Sequence, residues 1–463
     1  MADIAGDHLV SHFVNKTVPF KFRGINFSFD LSQGLFSSDS IDAGTQFLLS
    51  VLSRLVDDDR AAGTPPPRRV LDAGCGVGVI GICAAAIFPS AYVCCQDRDE
   101  LARLITLHNA AKNGVAPSTL EAYAEPLLAG PPPWDIILSN IPAKAGTPVL
   151  EDFVRRSARL LNPGGKVVIV VVHTLADFFR EQIAAAGAEL ALEKKGPGHS
   201  VFVYRAVSGE KTDELPATDG SFLERYPSYA RTSAACRIED IDVRIATIHG
   251  ASGFDAPGGA VLAAAKLARR IALEKLIAQN DAANGNVLVH EPGQGFFPRW
   301  LLEFLRGDQP RTLVLSGRNI LALEAARHNI PQAIVVPAVD LWLGRAALAE
   351  VISLTVSTLL VNKQKAAPQY SLIAAFPELL PQKPLSKKAG DSQATDQIAA
   401  LWDSLPPLLA EGGIFIAAFG SSDAERFDRK KPPGFGRLGS IKRNGFRALA
   451  YRCLSCLAFL PFR

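Results

Sequence analysis

Arg69-Val70-Leu71-Asp72-Ala73-Gly74-Cys75-Gly76-Val77-Gly78 reads as a buried strand that ends in an acid and runs into a glycine-rich turn. The apolar, alanine-rich run from Val79 to Ile87 has helical spacing, so the glycines occupy a strand-to-helix turn. Such turns lie at the carboxyl edge of an open α/β sheet, where glycines let a backbone approach a ligand and the next helix offers unpaired N–H groups. The spacing is GxGxG rather than GxGxxG. Asp72 sharpens the reading, because a carboxylate before the turn repels a dinucleotide pyrophosphate but suits the ammonium of S-adenosylmethionine, which carries no phosphate. A second strand, Ala91 to Gln96, ends in Asp97, whose carboxylate is suited to accept both ribose hydroxyls. A nicotinamide cofactor and a purely structural turn remain the alternatives at this point.

The chain has 463 residues with 48% hydrophobic content, enough to bury a substantial core and to split into two or three domains. The formal net charge of +3 means that nucleic-acid binding has to come from a local patch. Seven cysteines without regular spacing point to reduced thiols, and the isolated pair Cys453 and Cys456 lacks the second pair that zinc requires, so no metal is expected. No signal-peptide pattern opens the sequence, and the apolar run Val167 to Val172 is far too short to span a bilayer. A soluble cytoplasmic protein without membrane partners is expected; the oligomeric state is not legible.

Strand and helix patterns alternate from Arg69 to Arg205, which implies a parallel sheet covered on both faces. Asn162-Pro163-Gly164-Gly165 stops the fourth helix. Residues 207–235 turn polar, with Gly209, Pro216, Gly220 and Pro227, and read as a linker, while 381–396 reads as a surface insertion. The second half then repeats the first. Gln96-Asp97-Arg98-Asp99, Leu101-Ala102 and His108-Asn109 match Ser316-Gly317-Arg318-Asn319, Leu321-Ala322 and His328-Asn329 at identical spacing. Asp72 to Gly76 is matched with Glu291-Pro292-Gly293-Gln294-Gly295, and Leu161 to Gly165 with Leu409 to Gly413. On that alignment Gly317 replaces Asp97, Phe297 replaces Gly78, and Phe376-Pro377 stands where the first copy has Asn140. The expected organisation is a catalytic domain over 1–206, a linker over 207–235 and a degenerate copy over 236–463.

Trp134-Asp135-Ile136-Ile137-Leu138-Ser139-Asn140-Ile141-Pro142 places Asn140 at the carboxyl end of the strand beside the cofactor strand. Methyl transfer is an in-line displacement, so an enzyme has to align a nucleophile and keep its lone pair free. If the Asn140 side-chain oxygen and the Ile141 carbonyl each accept one hydrogen of an exocyclic amine, the lone pair turns toward the methyl, with Pro142 stiffening the turn. The bland alternative is that Asn140 satisfies backbone groups at a strand end.

With these residues in view, the region 17–205 resembles class I methyltransferases of the small-domain family, most closely the ribosomal RNA guanine-N2 methyltransferases. The matching signatures are Gly34 to Asp39 with Asp42-Ala43-Gly44-Thr45, then Asp72 to Gly78, Asp97, and Ser139 to Pro142. The resemblance implies a Rossmann-like α/β sheet with helices on both faces, S-adenosylmethionine held by Gly74, Gly76 and Asp97, Thr45 near its methionine end, Glu125 near adenine, and Asn140 on the target amine; Asp72 and Gly78, from the same turn, complete the candidate cofactor residues. It implies ribosomal RNA as partner. Two departures stand out. The family tetrapeptide is Asn-Pro-Pro-Phe or Asn-Pro-Pro-Tyr, whereas this chain has Asn140-Ile141-Pro142-Ala143, so Phe36 or another ring has to replace the missing platform. Ribosomal relatives with a duplicated domain place the degenerate copy first, whereas here it is second. Lys430, Lys431, Lys442 and Arg443, with Phe435 and Phe446 interleaved, are candidates to track RNA phosphates. The expected activity is N-methylation of guanine in ribosomal RNA. A protein-glutamine N-methyltransferase and a non-catalytic RNA-binding assembly factor are the alternatives.

Overall fold

A computed structural model describes residues 13–36, 38–129, 132–206, 220–278, 285–306, 310–339, 369–379 and 397–454. The chain divides between Tyr229 and Ala230 into two units. The first opens with an antiparallel hairpin, β1 (Lys16–Phe22) and β2 (Ile25–Leu31). Helix α1 (Ala43–Ala61) follows, and then the alternation expected from the sequence: β3 (Arg69–Ala73), α2 (Val79–Ile87), β4 (Tyr92–Asp97), α3 (Glu100–Lys112), β5 (Leu120–Ala124), β6 (Trp134–Asn140), α4 (Thr147–Arg159), β7 (Leu161–Val172), α5 (Ala176–Ala185), β8 (Glu189–Lys195) and β9 (His199–Arg205). The sheet order is β5-β4-β3-β6-β7-β9-β8. Its first five strands are parallel, and the inner four, β4, β3, β6 and β7, carry near-continuous apolar runs, as strands covered on both faces must. The order reverses direction of growth between β3 and β6, and that crevice is where an open α/β sheet takes its ligand.

Residues expected to be linker are in part structured. A short helix α6 (Phe222–Arg225) and the turn Pro227–Tyr229 belong to the first unit, and β10 (Ala230–Ile238) already opens the second. Polar composition hid Phe222, Tyr226 and Tyr229, which are buried together rather than scattered along a solvated tether. Residues 207–219 and the expected insertion at 381–396 lie outside the described residues.

The second unit pairs β10 with β11 (Ile241–Ile248) and continues through α7 (Gly259–Arg270), α8 (Leu273–Ala278), β12 (Asn286–His290), α9 (Phe296–Phe304), β13 (Thr312–Gly317), α10 (Ile320–Asn329), β14 (Ile334–Pro337), β15 (Tyr370–Ala375), α11 (Gln397–Leu408), β16 (Leu409–Gly420), α12 (Ser421–Arg429), β17 (Phe435–Arg443) and β18 (Phe446–Cys453). Its sheet order, β14-β13-β12-β15-β16-β18-β17, reproduces that of the first unit strand for strand. Alternate residues of β12 fill two cores, Val287 and Val289 on one face and Leu288 on the other.

The duplication reaches to irregularities. Between Trp134↔Leu161 and Ile136↔Lys166 the partner strand carries extra residues, and so it does between Tyr370↔Leu409 and Leu372↔Ile414. Gly165 and Gly413 close these excursions, where a Cβ would meet backbone oxygens at 2.9–3.1 Å and 2.8–3.0 Å respectively. We therefore expect Gly165→Ala to destabilise the first unit by about 1–3 kcal/mol through overpacking against rigid backbone, measured as a lower denaturant midpoint at unchanged slope.

Candidate functional site

The glycine turn after β3 folds as it does because Gly74, Gly76 and Gly78 all take positive φ, at 81°, 56° and 86°. The N–H groups of Gly74 and Cys75 both donate to the Gln96 carbonyl, at 2.7 and 2.9 Å, which pins the turn to the end of β4. A Cβ on Gly76 would point into open space, so the lip of the turn is bare backbone. Asp97 stands beside it. Its Oδ2 accepts the Gly76 N–H at 3.0 Å and its Oδ1 the Asp99 N–H at 3.1 Å, so the carboxylate is aimed by two backbone donors. Burial, reinforced by the neighbouring Asp99, raises its pKa to about 6. Glu125 follows β5 directly and donates its N–H to the Asp97 carbonyl at 2.8 Å; burial raises its carboxyl as well.

Asp72 departs from its expected contact. The side chain is fully buried and turned under α2, where Oδ2 accepts the Gly81 N–H at 2.8 Å. Gly81 is small for this reason: a Cβ there would meet Asp72 Oδ2 at 3.1 Å and Cys95 Sγ at 2.3 Å. The strand pleat decides the matter, since Asp72 faces the helix layer and not the strand ends. Its Oδ1 is buried without a partner, and desolvation lifts the carboxyl to about 7.

Asn140 is held from an unexpected quarter. Its Nδ2 donates to Asp42 Oδ2 at 2.9 Å and to Thr45 Oγ1 at 3.0 Å. Asp42 is the N-cap of α1 and also accepts the Thr45 N–H, at 3.1 Å. Gly44 completes the arrangement, because a Cβ there would lie 2.7 Å from Asp42 Oδ2 and 3.1 Å from His199 Cδ2. Both amide hydrogens are thus spent, and the orientation is fixed by the network. Oδ1 is left as an acceptor without a partner among the described residues. Ile141 donates its N–H to the Val170 carbonyl at 3.1 Å, and the Pro142 carbonyl accepts from Ala145 N–H at 2.9 Å, closing a turn. Sequence reading missed Asp42 as an orienting group. The signal was present, since an acid immediately ahead of an apolar-periodic helix is an N-cap signature.

Phe36 lies in the loop between β2 and α1 with 71% of its surface exposed. His173 Nε2, just past the end of β7, lies 2.9 Å from the His199 carbonyl, to which it donates. In the second unit the expected basic patch is largely spoken for. Arg443 bonds Glu239 at 2.8 Å, and Lys431 Nζ donates to the Pro432 and Phe435 carbonyls at 3.3 and 2.6 Å. Lys430 has a partner too, whereas Lys442 is exposed. No cluster able to hold a metal ion occurs among the described residues, and no described helix is long and apolar enough to cross a membrane.

Strand pairing corrects the alignment of the second copy. Asp72 pairs with Cys95, as Val289 pairs with Leu315, so Asp72 corresponds to Val289 and not to Glu291. Glu291 takes the place of Gly74, and Gly295, not Phe297, that of Gly78; the positive φ values of Glu291, Gly293 and Gly295 follow those of the three glycines in order. Asn109 and Asn329 confirm this register. Asn109 Nδ2 donates to the Asp30 and Val77 carbonyls, and Asn329 Nδ2 to those of Ala246 and Gln294. Gly317 does stand at Asp97, but Glu291 leans over it: a Cβ on Gly317 would lie 3.2 Å from Glu291 Oε2, and Oε1 accepts the Arg318 N–H at 2.9 Å.

Residues 26–184 match the family model of the methyltransferase small domain. The match lies within the first unit and covers about a third of the chain. The ribosomal RNA small subunit methyltransferase C of Hahella chejuensis is 37% identical over 142 residues, which is 30% of this chain and 38% of that protein. The ribosomal protein L11 methyltransferase of Syntrophotalea carbinolica is 32% identical over 140 residues, 30% of this chain and 42% of that protein. The chain thus spans less than half the length of these two relatives. Among solved structures, the 16S rRNA N2 G1207 methyltransferase RsmC of T. thermophilus, in complex with AdoMet and guanosine, is 14% identical and covers 96% of this chain and 99% of its own, at a TM-score of 0.56. The tandem Rossmann-like fold is shared over that span.

The buried Asp72 has a measurable signature. Its pKa is raised on folding, so the folded domain holds a proton that the unfolded chain releases; the stabilisation is complete below about pH 4 and is lost as pH rises through about 7. We expect Asp72→Asn, which keeps an oxygen for Gly81, to flatten the decline in thermal stability between pH 5 and 8, read by calorimetry.

Proposed function

We propose that this chain is an S-adenosylmethionine-dependent N-methyltransferase whose acceptor is the exocyclic amine of a guanine in ribosomal RNA. The observation that carries the reading is the Asn140 amide, locked by Asp42 and Thr45 with its oxygen left without a partner among the described residues, at the end of the strand that pairs with β3. The pocket fits the cofactor: Asp97 offers an aimed carboxylate to two ribose hydroxyls, and the bare lip at Gly76 admits a close ligand. When bound, S-adenosylmethionine supplies a methyl group activated by a sulfonium.

The chain's own residues then have three tasks. Asp97, ionised, accepts from the ribose and fixes the donor. Asn140 Oδ1 and the Ile141 carbonyl accept the two amine hydrogens, which turns the nitrogen lone pair out of conjugation and along the line of displacement. Asp42 keeps Asn140 from flipping, because the reversed amide would set its oxygen against a carboxylate. Phe36, exposed on the loop that leads to Asp42, serves as the platform for the base in place of the aromatic that Ala143 lacks. The second unit is a donor-free copy that assists RNA capture through Lys442, with Lys430, Lys431 and Arg443 contributing only by exchanging their internal partners. The missing ring also favours one second reading, methylation of a protein glutamine amide, which needs no stacking surface. Tritium from labelled donor entering RNA rather than protein decides between them.

Asn140→Ala is expected to lower turnover at least about 100-fold with donor affinity within twofold of wild type, and Asp42→Asn to fall between the two. Equal loss of donor binding in Asn140→Ala would remove it from the acceptor side. Because Asp97 accepts from the donor only when ionised, affinity for S-adenosylhomocysteine should weaken as pH falls below about 6, by up to about tenfold per unit. Titration calorimetry between pH 5 and 8 checks this, and should give one donor site per chain.

A further inference from the structure

Among the described residues three phenylalanines are exposed: Phe36 at 71%, Phe254 at 67% and Phe446 at 38%. The first belongs to the first unit, the other two to the second. Phe254 sits in the loop after β11, which lies against the refilled ligand edge. There Asn319 Nδ2 donates to the Gly250 carbonyl at 3.0 Å, and a Cβ on Gly293 would lie 3.7 Å from the Ser252 carbonyl oxygen. Phe446 stands at the same end of the sheet, since it pairs with Gly420, the last residue of β16. Its ring closes on the start of α7, where a Cβ on Gly259 would lie 2.5 Å from Phe446 Cδ2.

Phe254 is held in water by two local irregularities. The pairing of β10 with β11 passes from Ala230↔Ile248 to Thr232↔Thr247, so Arg231 is the extra residue of a bulge, a device that re-aims a side chain. Its guanidinium lies 5.2 Å from the Phe254 ring centroid. Arg231 Nε donates to both Asp255 oxygens at 2.9 Å, and Asp255 Oδ1 also accepts from Thr247 Oγ1 at 2.7 Å, so the cation is locked in place. Phe254 itself takes a φ of 35°, a left-handed conformation that costs a bulky residue stability. The outcome is a ring backed by a fixed guanidinium and otherwise open to solvent.

We propose that Phe254, backed by Arg231, is a stacking platform for one unpaired base of the RNA, with Phe446 taking a second base. The surroundings decide the class of ligand. Among the described residues of the second unit the one other exposed large apolar side chain is Leu454, beyond the far end of β18, and polar Ser252 and Asp255 lie on either side of Phe254 in its loop. Such isolated rings are too small an apolar surface for a protein partner, which needs a contiguous patch. A nucleobase matches them, being apolar on its face and polar around its edge. Phe254 and Gly259 are five residues apart, at most about 18 Å of chain, so a few extended nucleotides reach both rings. Because Asp255 already neutralises Arg231, the platform draws on stacking and not on phosphate. The inference rests on the RNA reading above and adds the means by which the second unit grips an unpaired strand.

The test is fluorescence anisotropy of the full chain with a short labelled single-stranded RNA of mixed sequence and with the same sequence as a duplex. Phe254→Leu keeps an apolar side chain but removes the π face. It should weaken the single strand about five- to thirtyfold, equally at low and high salt, with duplex affinity and melting temperature unchanged. Phe254→Trp should bind as wild type does, and Phe446→Leu should lose less than Phe254→Leu. Affinity for S-adenosylhomocysteine should stay at the wild-type value in every variant. Unchanged single-strand affinity in Phe254→Leu, or a loss that high salt abolishes, would overturn the platform while leaving the acceptor reading intact. Wild-type protein that binds neither RNA would overturn both.

Discussion

Everything at the acceptor end depends on which way one amide points. Asn140 spends both hydrogens on Asp42 and Thr45, and a bond to a carboxylate is worth about 1.5–3 kcal/mol. Rotating the amide by half a turn would forfeit both bonds and set a carbonyl oxygen against Asp42. Donation to an anion also pushes electron density toward the opposite oxygen, since neighbouring hydrogen bonds polarise one another. The remaining oxygen, Oδ1, is therefore both fixed and strengthened as an acceptor. Because Asp42 is at the same time the N-cap of α1, the end of a strand and the start of a helix are locked by one side chain.

The second unit shows what the framework requires and what it does not. Retained are the matched excursions at Gly165 and Gly413, the pinning asparagines Asn109 and Asn329, and the polar N-caps Asp99 and Asn319, each accepting from the N–H two residues on. These hold strands, turns and helices in place. Changed is the ligand edge. Asp97 gives way to Gly317, while Gly74 gives way to Glu291, which keeps the left-handed backbone at φ 55° although a side chain is penalised there. The two exchanges are reciprocal in space, as the new carboxylate lies over the new glycine. Phe376, at the position of Asn140, packs edge-on against Phe297 at 4.9 Å. That edge has been refilled with contacts of its own.

Much of the fold was legible because buried, parallel strands alternate with periodic helices. The site was legible where chemistry sits on a strand end: Asp97 and Asn140 stand where the pattern places them. Three features were not. The direction of Asp72 depends on the strand's pleat, which a sequence shows only once the buried faces are assigned. Alignment of Asp72 with Glu291 followed the look of the letters, whereas pairing and backbone angles set the register two residues away. The aromatic knot at 222–229 is dispersed in a polar stretch, and its burial is purely tertiary.

Asp72 nonetheless retains an electrostatic part that a contact map omits. It is wholly buried, with one oxygen unpaired, and it and Asp97 repel one another, each pushed upward by burial first. A pair of buried carboxylates at a glycine turn is therefore costly to ionise together, and a positive charge at the turn favours the ionised form of both. An anionic pyrophosphate would meet the same field with the opposite sign. Only when ionised does Asp72, buried under the helix with Gly81 on its Oδ2, bring a charge to bear on the glycine turn, and it does so through space rather than by contact.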